Sequence, residues 1–185
     1  MHLTPGSFAG APIGHSMGGL SAAVVAAEAP HLIRGAMLED PALLSAEEWA
    51  TPLHTTWPID HAADRERSLE ELIARGKIAN PRWPDAIFPP WAQAKREASL
   101  KVFDWFALAA PDVDTIMAEI GVPTLLVTGD PDQGVIVTPA QAAAFQALNP
   151  LVRVAHVPGA GHCLRYEQPA TIAKLARDFL ATCFG

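Results

Sequence analysis

Ile13-Gly14-His15-Ser16-Met17-Gly18-Gly19-Leu20 is the stretch on which the reading of this chain turns. A short apolar segment runs into glycines, and these lead into Ser21-Ala22-Ala23-Val24-Val25-Ala26-Ala27-Glu28, an Ala-rich run of good helix propensity that Pro30 ends. Strand, tight turn and helix are the predicted order. Gly14-x-Ser16-x-Gly18 is a GxSxG pattern lying where the strand gives way to the helix, the context in which a strained turn thrusts a serine outward. Side chains at positions 14 and 18 are expected to collide with neighbouring backbone, which is why both are glycine.

Outward from the turn, Gly35-Ala36-Met37-Leu38-Glu39 is a brief apolar run stopped by Asp40-Pro41, as a buried parallel strand would be. Pro123-Thr124-Leu125-Leu126-Val127-Thr128-Gly129 and Leu151 to Val157 read as two more strands. Between them, Thr138-Pro139-Ala140-Gln141 matches a capping box and starts a helix to Leu148. Gln168-Pro169 opens a final helix ending near Cys183. Strands alternating with helices indicate a mostly parallel α/β sheet with helices on both faces.

Residues 41–111 differ in character. All five tryptophans (Trp49, Trp57, Trp83, Trp91, Trp105) fall here with many prolines, predicting an inserted helical cap whose core they form; Trp49, Trp57, Trp83 and Trp91, with Phe88, Phe103 and Phe106, are alternatively candidates to line an apolar acyl or alcohol pocket. Asp60 is expected to cap a helix to about Arg75 with Gly76 as its stop, and Pro89-Pro90 to precede one from Trp91 to about Leu108. A further short helix from Asp112 to Ile120 ends at Gly121. Residues 1–40 and 112–185 then make the core, and 41–111 the cap.

A serine hydroxyl is a weak nucleophile at neutral pH. It needs a histidine as base and a carboxylate to orient that histidine. Gly129-Asp130-Pro131-Asp132 follows one predicted strand and Gly159-Ala160-Gly161-His162 follows the last, so both loops lie at the carboxyl edge where open α/β sheets bind ligands. Asp130 and Asp40 are rival acids, though an Asp-Pro pair such as Asp40-Pro41 more often just ends a strand. His156 is a rival base, lying inside the predicted last strand.

With the serine, acid and histidine in this order, the chain resembles the α/β-hydrolase superfamily from Pro12 to Phe184, most closely its capped esterase-like and lipase-like members. The resemblance implies a partial α/β-hydrolase fold with Ser16 as nucleophile, Asp132 as the acid of a G-x-x-D loop and His162 as the base of a GxGH loop. It also implies that the backbone N–H of Met17 serves the oxyanion hole. Such chemistry needs no metal or organic cofactor.

Only fifteen residues precede Ser16, whereas the superfamily has several strands and a second oxyanion-donor loop before its nucleophile. The expectation is an N-terminally truncated fold. Losing one oxyanion donor would cost about 3–4 kcal/mol of transition-state stabilisation. A bare strand edge predicts pairing as a homodimer or with a complementing N-terminal fragment.

The formal charge of −7 and the lack of a Lys/Arg cluster exclude a nucleic-acid footprint or attraction to an anionic membrane, and favour a neutral, apolar ester or acyl substrate. Residues 1–27 hold no Asp, Glu, Lys or Arg, but they lack a basic n-region and glycines and prolines interrupt them, so no signal or membrane segment is expected. Cys163 and Cys183 form no CxxC or ligand cluster, which predicts a reducing cytoplasm. The leading functional expectation is hydrolysis of small apolar carboxylic esters, with thioester and C–C bond hydrolysis left open. A reading of a different class is a non-catalytic remnant that binds a ligand or pairs with another chain.

Overall fold

The computed structural model describes residues 10–51 and 53–185, without the side chains of residues 53–55 and 106. The Phe106 side chain, named among the aromatics of the cap, thus lies outside the described residues. Four parallel strands, β1 (Ile13–His15), β2 (Ala36–Glu39), β3 (Thr124–Thr128) and β4 (Val152–His156), pair in the order β1-β2-β3-β4. The register sets His15 opposite Glu39, Glu39 opposite Val127, and Thr128 opposite His156, so the carboxyl ends line up along one edge. β1 is short because Pro12 has no N–H to donate, although its carbonyl still accepts from Met37 N at 2.9 Å.

Every residue of β2 and β3 is buried, as expected of strands covered on both faces. Met37, Leu125 and Val127 form a cluster with Ile172 and Phe179 of the C-terminal helix. Leu38 and Leu126, one residue out of phase, are also fully buried and face the opposite side. There the helix α1 (Met17–Glu28) packs on β1 and β2.

The chain divides into two compact units, Met1–Leu43 with Asp112–Gly185, and Leu44–Pro111. In the second unit come α2 (Ala46–Trp49), α3 (Leu53–Arg65), α4 (Leu69–Ala79) and α5 (Phe88–Glu97), then a 3-10 segment, Leu100–Ala107. The expected long helix from Asp60 is two helices. Asp60 sits inside α3, and Ser68 with Glu71 builds the capping box that starts α4. Gly76 does not end a helix either. It lies within α4, where a Cβ would come 2.8 Å from the Trp91 ring, so its smallness serves packing against α5. Trp49 is buried edge-on to Trp105, 4.3 Å between centroids, and donates its Nε1–H to Leu108 O at 3.1 Å.

The first unit resumes with α6 (Val113–Glu119), capped by Asp112, and α7 (Pro139–Leu148), whose Thr138/Gln141 capping box is present as expected. The buried Asn149 side chain donates to Met117 O and Ile120 O at 3.1 and 2.9 Å, satisfying carbonyls that the end of α6 leaves open. After β4 come α8 (Leu164–Glu167) and α9 (Pro169–Phe184).

Candidate active site

Ser16 stands between β1 and α1 with φ 54° and ψ −120°, a left-handed backbone that a non-glycine residue adopts only under constraint. The constraint is visible. Ser16 N donates to Glu39 O at 3.1 Å, and Ser16 O accepts from Leu20 N and Ala42 N, both at 3.0 Å. These bonds tie the turn to its own helix and to the end of the neighbouring strand. A Cβ on Gly14 would lie 2.1 Å from Gly18 O, so that position is closed to any other residue. Position 18 differs from expectation: a Cβ there meets nothing within 4 Å, and the second tight contact is at Gly19, 2.8 Å from the Pro41 side chain.

One residue past Glu39, Asp40 is fully buried and also has positive φ, 36°. Its carboxylate accepts from Ile136 N at 2.9 Å and Val137 N at 2.9 Å, and from His162 Nδ1 at 2.7 Å. A carboxylate cannot donate, so Nδ1 carries the proton, and in the neutral ring Nε2 is the nitrogen with the free lone pair. A histidine of this tautomer, oriented by a buried carboxylate and bonded through its carbonyl to the residue before the strained serine, has the chemistry of a general base.

Residues 5–175 match the family model described as the alpha/beta hydrolase family. The chain belongs to the α/β-hydrolase family. Among solved structures, E-2-(acetamidomethylene)succinate hydrolase is similar at 20% identity and a TM-score of 0.74, with 94% of this chain and 67% of that chain covered. N-formylmaleamic acid deformylase from Pseudomonas putida follows at 20% identity and 0.70, covering 90% and 65%. The enol-lactonase from Burkholderia xenovorans stands at 22% and 0.66, covering 91% and 64%. The α/β-hydrolase chain thus spans about two thirds of the length of each. Comparison with curated proteins gave no match.

The carboxylate against His162 in this α/β-hydrolase fold is therefore Asp40, where the sequence pointed to Asp132. Asp132 is exposed on a 3-10 turn, Pro131–Gln133, and accepts from the Gln133 side chain at 3.2 Å. Its neighbour Asp130 braces the histidine loop, accepting from Gly159 N at 2.7 Å and from His156 Nε2 at 2.8 Å. Backbone packs tightly here: a Cβ on Gly129 would lie 2.1 Å from Ala160 O, which explains the glycine that opens the acid loop. His156, the rival base, is bound up in the Asp130 pair. Met17 is the first residue of α1, so its N–H is among the donors a helix leaves without an internal partner.

The local signal for Asp40 is slight and does not reveal its partners. Glu39-Asp40 puts two acids at the end of an otherwise apolar strand, one more than is needed to stop it. Glu39 is buried too and accepts from Arg165 Nε at 2.9 Å. Beside them, His15 Nε2 lies 2.7 Å from His162 O, and the two rings are 4.5 Å apart at 40°. Burial, then the neighbouring His162 charge, lowers the His15 pKa to about 4, so this ring is neutral at physiological pH. The Cys163 pKa is pushed up to about 11, chiefly by burial, so its sulfur stays a thiol at neutral pH. Among the described residues no helix is long and apolar enough to cross a membrane.

Proposed function

We propose that this chain hydrolyses small, fairly apolar carboxylic esters through a covalent acyl-enzyme, with Ser16 as nucleophile, His162 as general base and Asp40 as the orienting acid. The observation that carries the reading is the 2.7 Å Asp40–His162 bond beside the strained Ser16 turn. Ser16 Oγ attacks the carbonyl carbon as His162 Nε2 takes its proton, and Asp40 stabilises the imidazolium that forms. The Met17 N–H faces the developing oxyanion charge. Collapse expels the alcohol, protonated by His162, and water, activated by the same nitrogen, releases the acid. The similar structures are named as a hydrolase of E-2-(acetamidomethylene)succinate, a deformylase of N-formylmaleamic acid and an enol-lactonase, which supports acyl transfer to water as the reaction class. A formal charge of −7 favours an uncharged substrate over an anionic one.

A second reading is a chain-pairing or ligand-binding domain without turnover. It is favoured by the edge position of β1 and by Ile13 and Val25 beside it, 40% and 37% exposed. Mixing the purified chain with p-nitrophenyl butyrate separates the two. A stoichiometric burst of nitrophenol that Ser16→Ala abolishes is the expected result. A folded sample that gives no burst and elutes as a dimer in size-exclusion chromatography would select the second reading.

A further inference from the structure

We propose that His15 is a positioning residue for His162: its Nε2–H holds the His162 backbone carbonyl, and its ring lies against the His162 ring, so that the base keeps its aim. The inference rests on the reading of His162 as the base.

His162 is secured from one side only by its own side chain, through the Nδ1–H to Asp40. Its backbone follows Val157–Gly161, a glycine-containing loop that main-chain bonds among the described residues reach only up to Ala160, through Val157 N to Thr128 O at 2.8 Å and Asp130 N to Ala160 O at 2.7 Å. Gly159 there has φ 76°. Asp130 holds Gly159 N, and Glu167 accepts from Gly161 N, which leaves the carbonyl of His162 itself for a third partner. That partner comes from the other end of the site. His15 is the last residue of β1 and the residue immediately before the nucleophile, so its 2.7 Å bond spans 147 positions of chain and couples the nucleophile turn directly to the base. A carbonyl acceptor requires that Nε2 carry the hydrogen, which fixes the tautomer of His15 as it fixes that of His162.

The device works only with a neutral His15. When His162 becomes imidazolium during attack, a second positive ring 4.5 Å away would oppose it. On balance the surroundings of His15 favour neutrality: burial first, then the His162 ring and Arg165, held by Glu39, disfavour its cation, while the bond to the His162 carbonyl and Asp40 oppose them. A residue meant only to fill the space would not need a donor aimed at a carbonyl, and a phenylalanine would serve as well.

Two variants separate donor from ring. His15→Gln keeps an amide N–H where Nε2 stands and removes the aromatic ring; His15→Phe keeps the ring and removes the donor. The readouts are the rate at which a fluorophosphonate labels Ser16 across pH, and the low-field proton NMR signal of the His162 Nδ1–H. The expected result is labelling slowed about tenfold to a hundredfold in His15→Phe, the cost of a base displaced by a fraction of an ångström to one ångström. The low-field signal should broaden in the same variant, and both readouts should recover in His15→Gln. Equal labelling and an unchanged signal in His15→Phe would overturn the inference. If the wild-type chain is not labelled at all while the signal still depends on the donor, the hydrolytic reading fails and the positioning role of His15 stands.

Discussion

Two adjacent strand ends of this molecule solve the same steric problem in different ways. β1 is followed directly by Ser16 and β2 by Asp40, the two described non-glycine residues with positive φ, 54° and 36°. At Ser16 the strain is held by backbone: three main-chain bonds fix the turn, and the side chain is left to do chemistry. At Asp40 a single main-chain bond, Asp40 N to Val127 O at 2.8 Å, is joined by the side chain, which accepts from Ile136 N, Val137 N and His162 Nδ1. A turn held by backbone needs glycines at close approaches and so advertises itself. A turn held by a buried carboxylate needs only an aspartate, and an aspartate before proline looks like any other strand end.

The largest expected effect breaks this comparison at Asp40. Asp40→Asn should cut turnover of p-nitrophenyl butyrate about 10⁴-fold, because the amide no longer fixes the His162 tautomer. Chemical denaturation should also show a loss of about 2–3 kcal/mol, since a carboxylate that accepts buried N–H groups has been replaced by a group that also donates. Asp132→Asn, on an exposed turn, should change stability by less than about 0.5 kcal/mol and leave turnover unaltered. A collapse of activity in Asp132→Asn with Asp40→Asn intact would return the acid to the loop after β3.

A smaller effect concerns pH, and its sign follows from His15. The folded pKa of about 4 lies below the ordinary value of 6.5. Between those values the unfolded chain takes up a proton that the folded chain refuses, so this group costs stability as pH falls through that window and no more below it. His15→Gln does not titrate. Its deficit relative to wild type should therefore be largest above pH 6.5 and narrow by about 1–2 kcal/mol by pH 4, less than full linkage because the ring is only partly buried. Parallel denaturation curves across that range would show that His15 takes up its proton without resistance.

The sheet was legible because its strands are short apolar runs ended by turn residues, and Leu38 and Leu126 are as buried as their pattern demands. The turn at Ser16 and the loop before His162 were legible as loops because each holds a close approach that only glycine permits, Gly14 against Gly18 and Gly161 against Gln133. The pairing of His162 with Asp40 was not legible, because Asp40 takes its partners from 96, 97 and 122 positions away. No local pattern carries that information. The inserted helices were misread for the opposite reason. Ser68 and Glu71 are a plain local capping box, but the helical periodicity on either side hid the break.

The smallest effect tests the comparison most directly, because it asks whether the two turns hold strain of the same kind. Ser16→Gly removes the side chain from a left-handed backbone whose bonds are all made by main-chain atoms, so the relief of roughly 1–2 kcal/mol should exceed the added entropy of the unfolded glycine. The variant should be inactive and more stable than wild type by about 0.5–1 kcal/mol. Ser16→Ala keeps the strain and should match wild type in stability, which isolates backbone relief from loss of the hydroxyl. Asp40→Gly relieves a similar backbone strain yet should be destabilised, because its side chain held the turn and Ile136 and Val137 lose their acceptor. If Ser16→Gly is no more stable than Ser16→Ala, the nucleophile turn is set without strain, and the constraint at β1 resides in Gly14 and Gly19 alone.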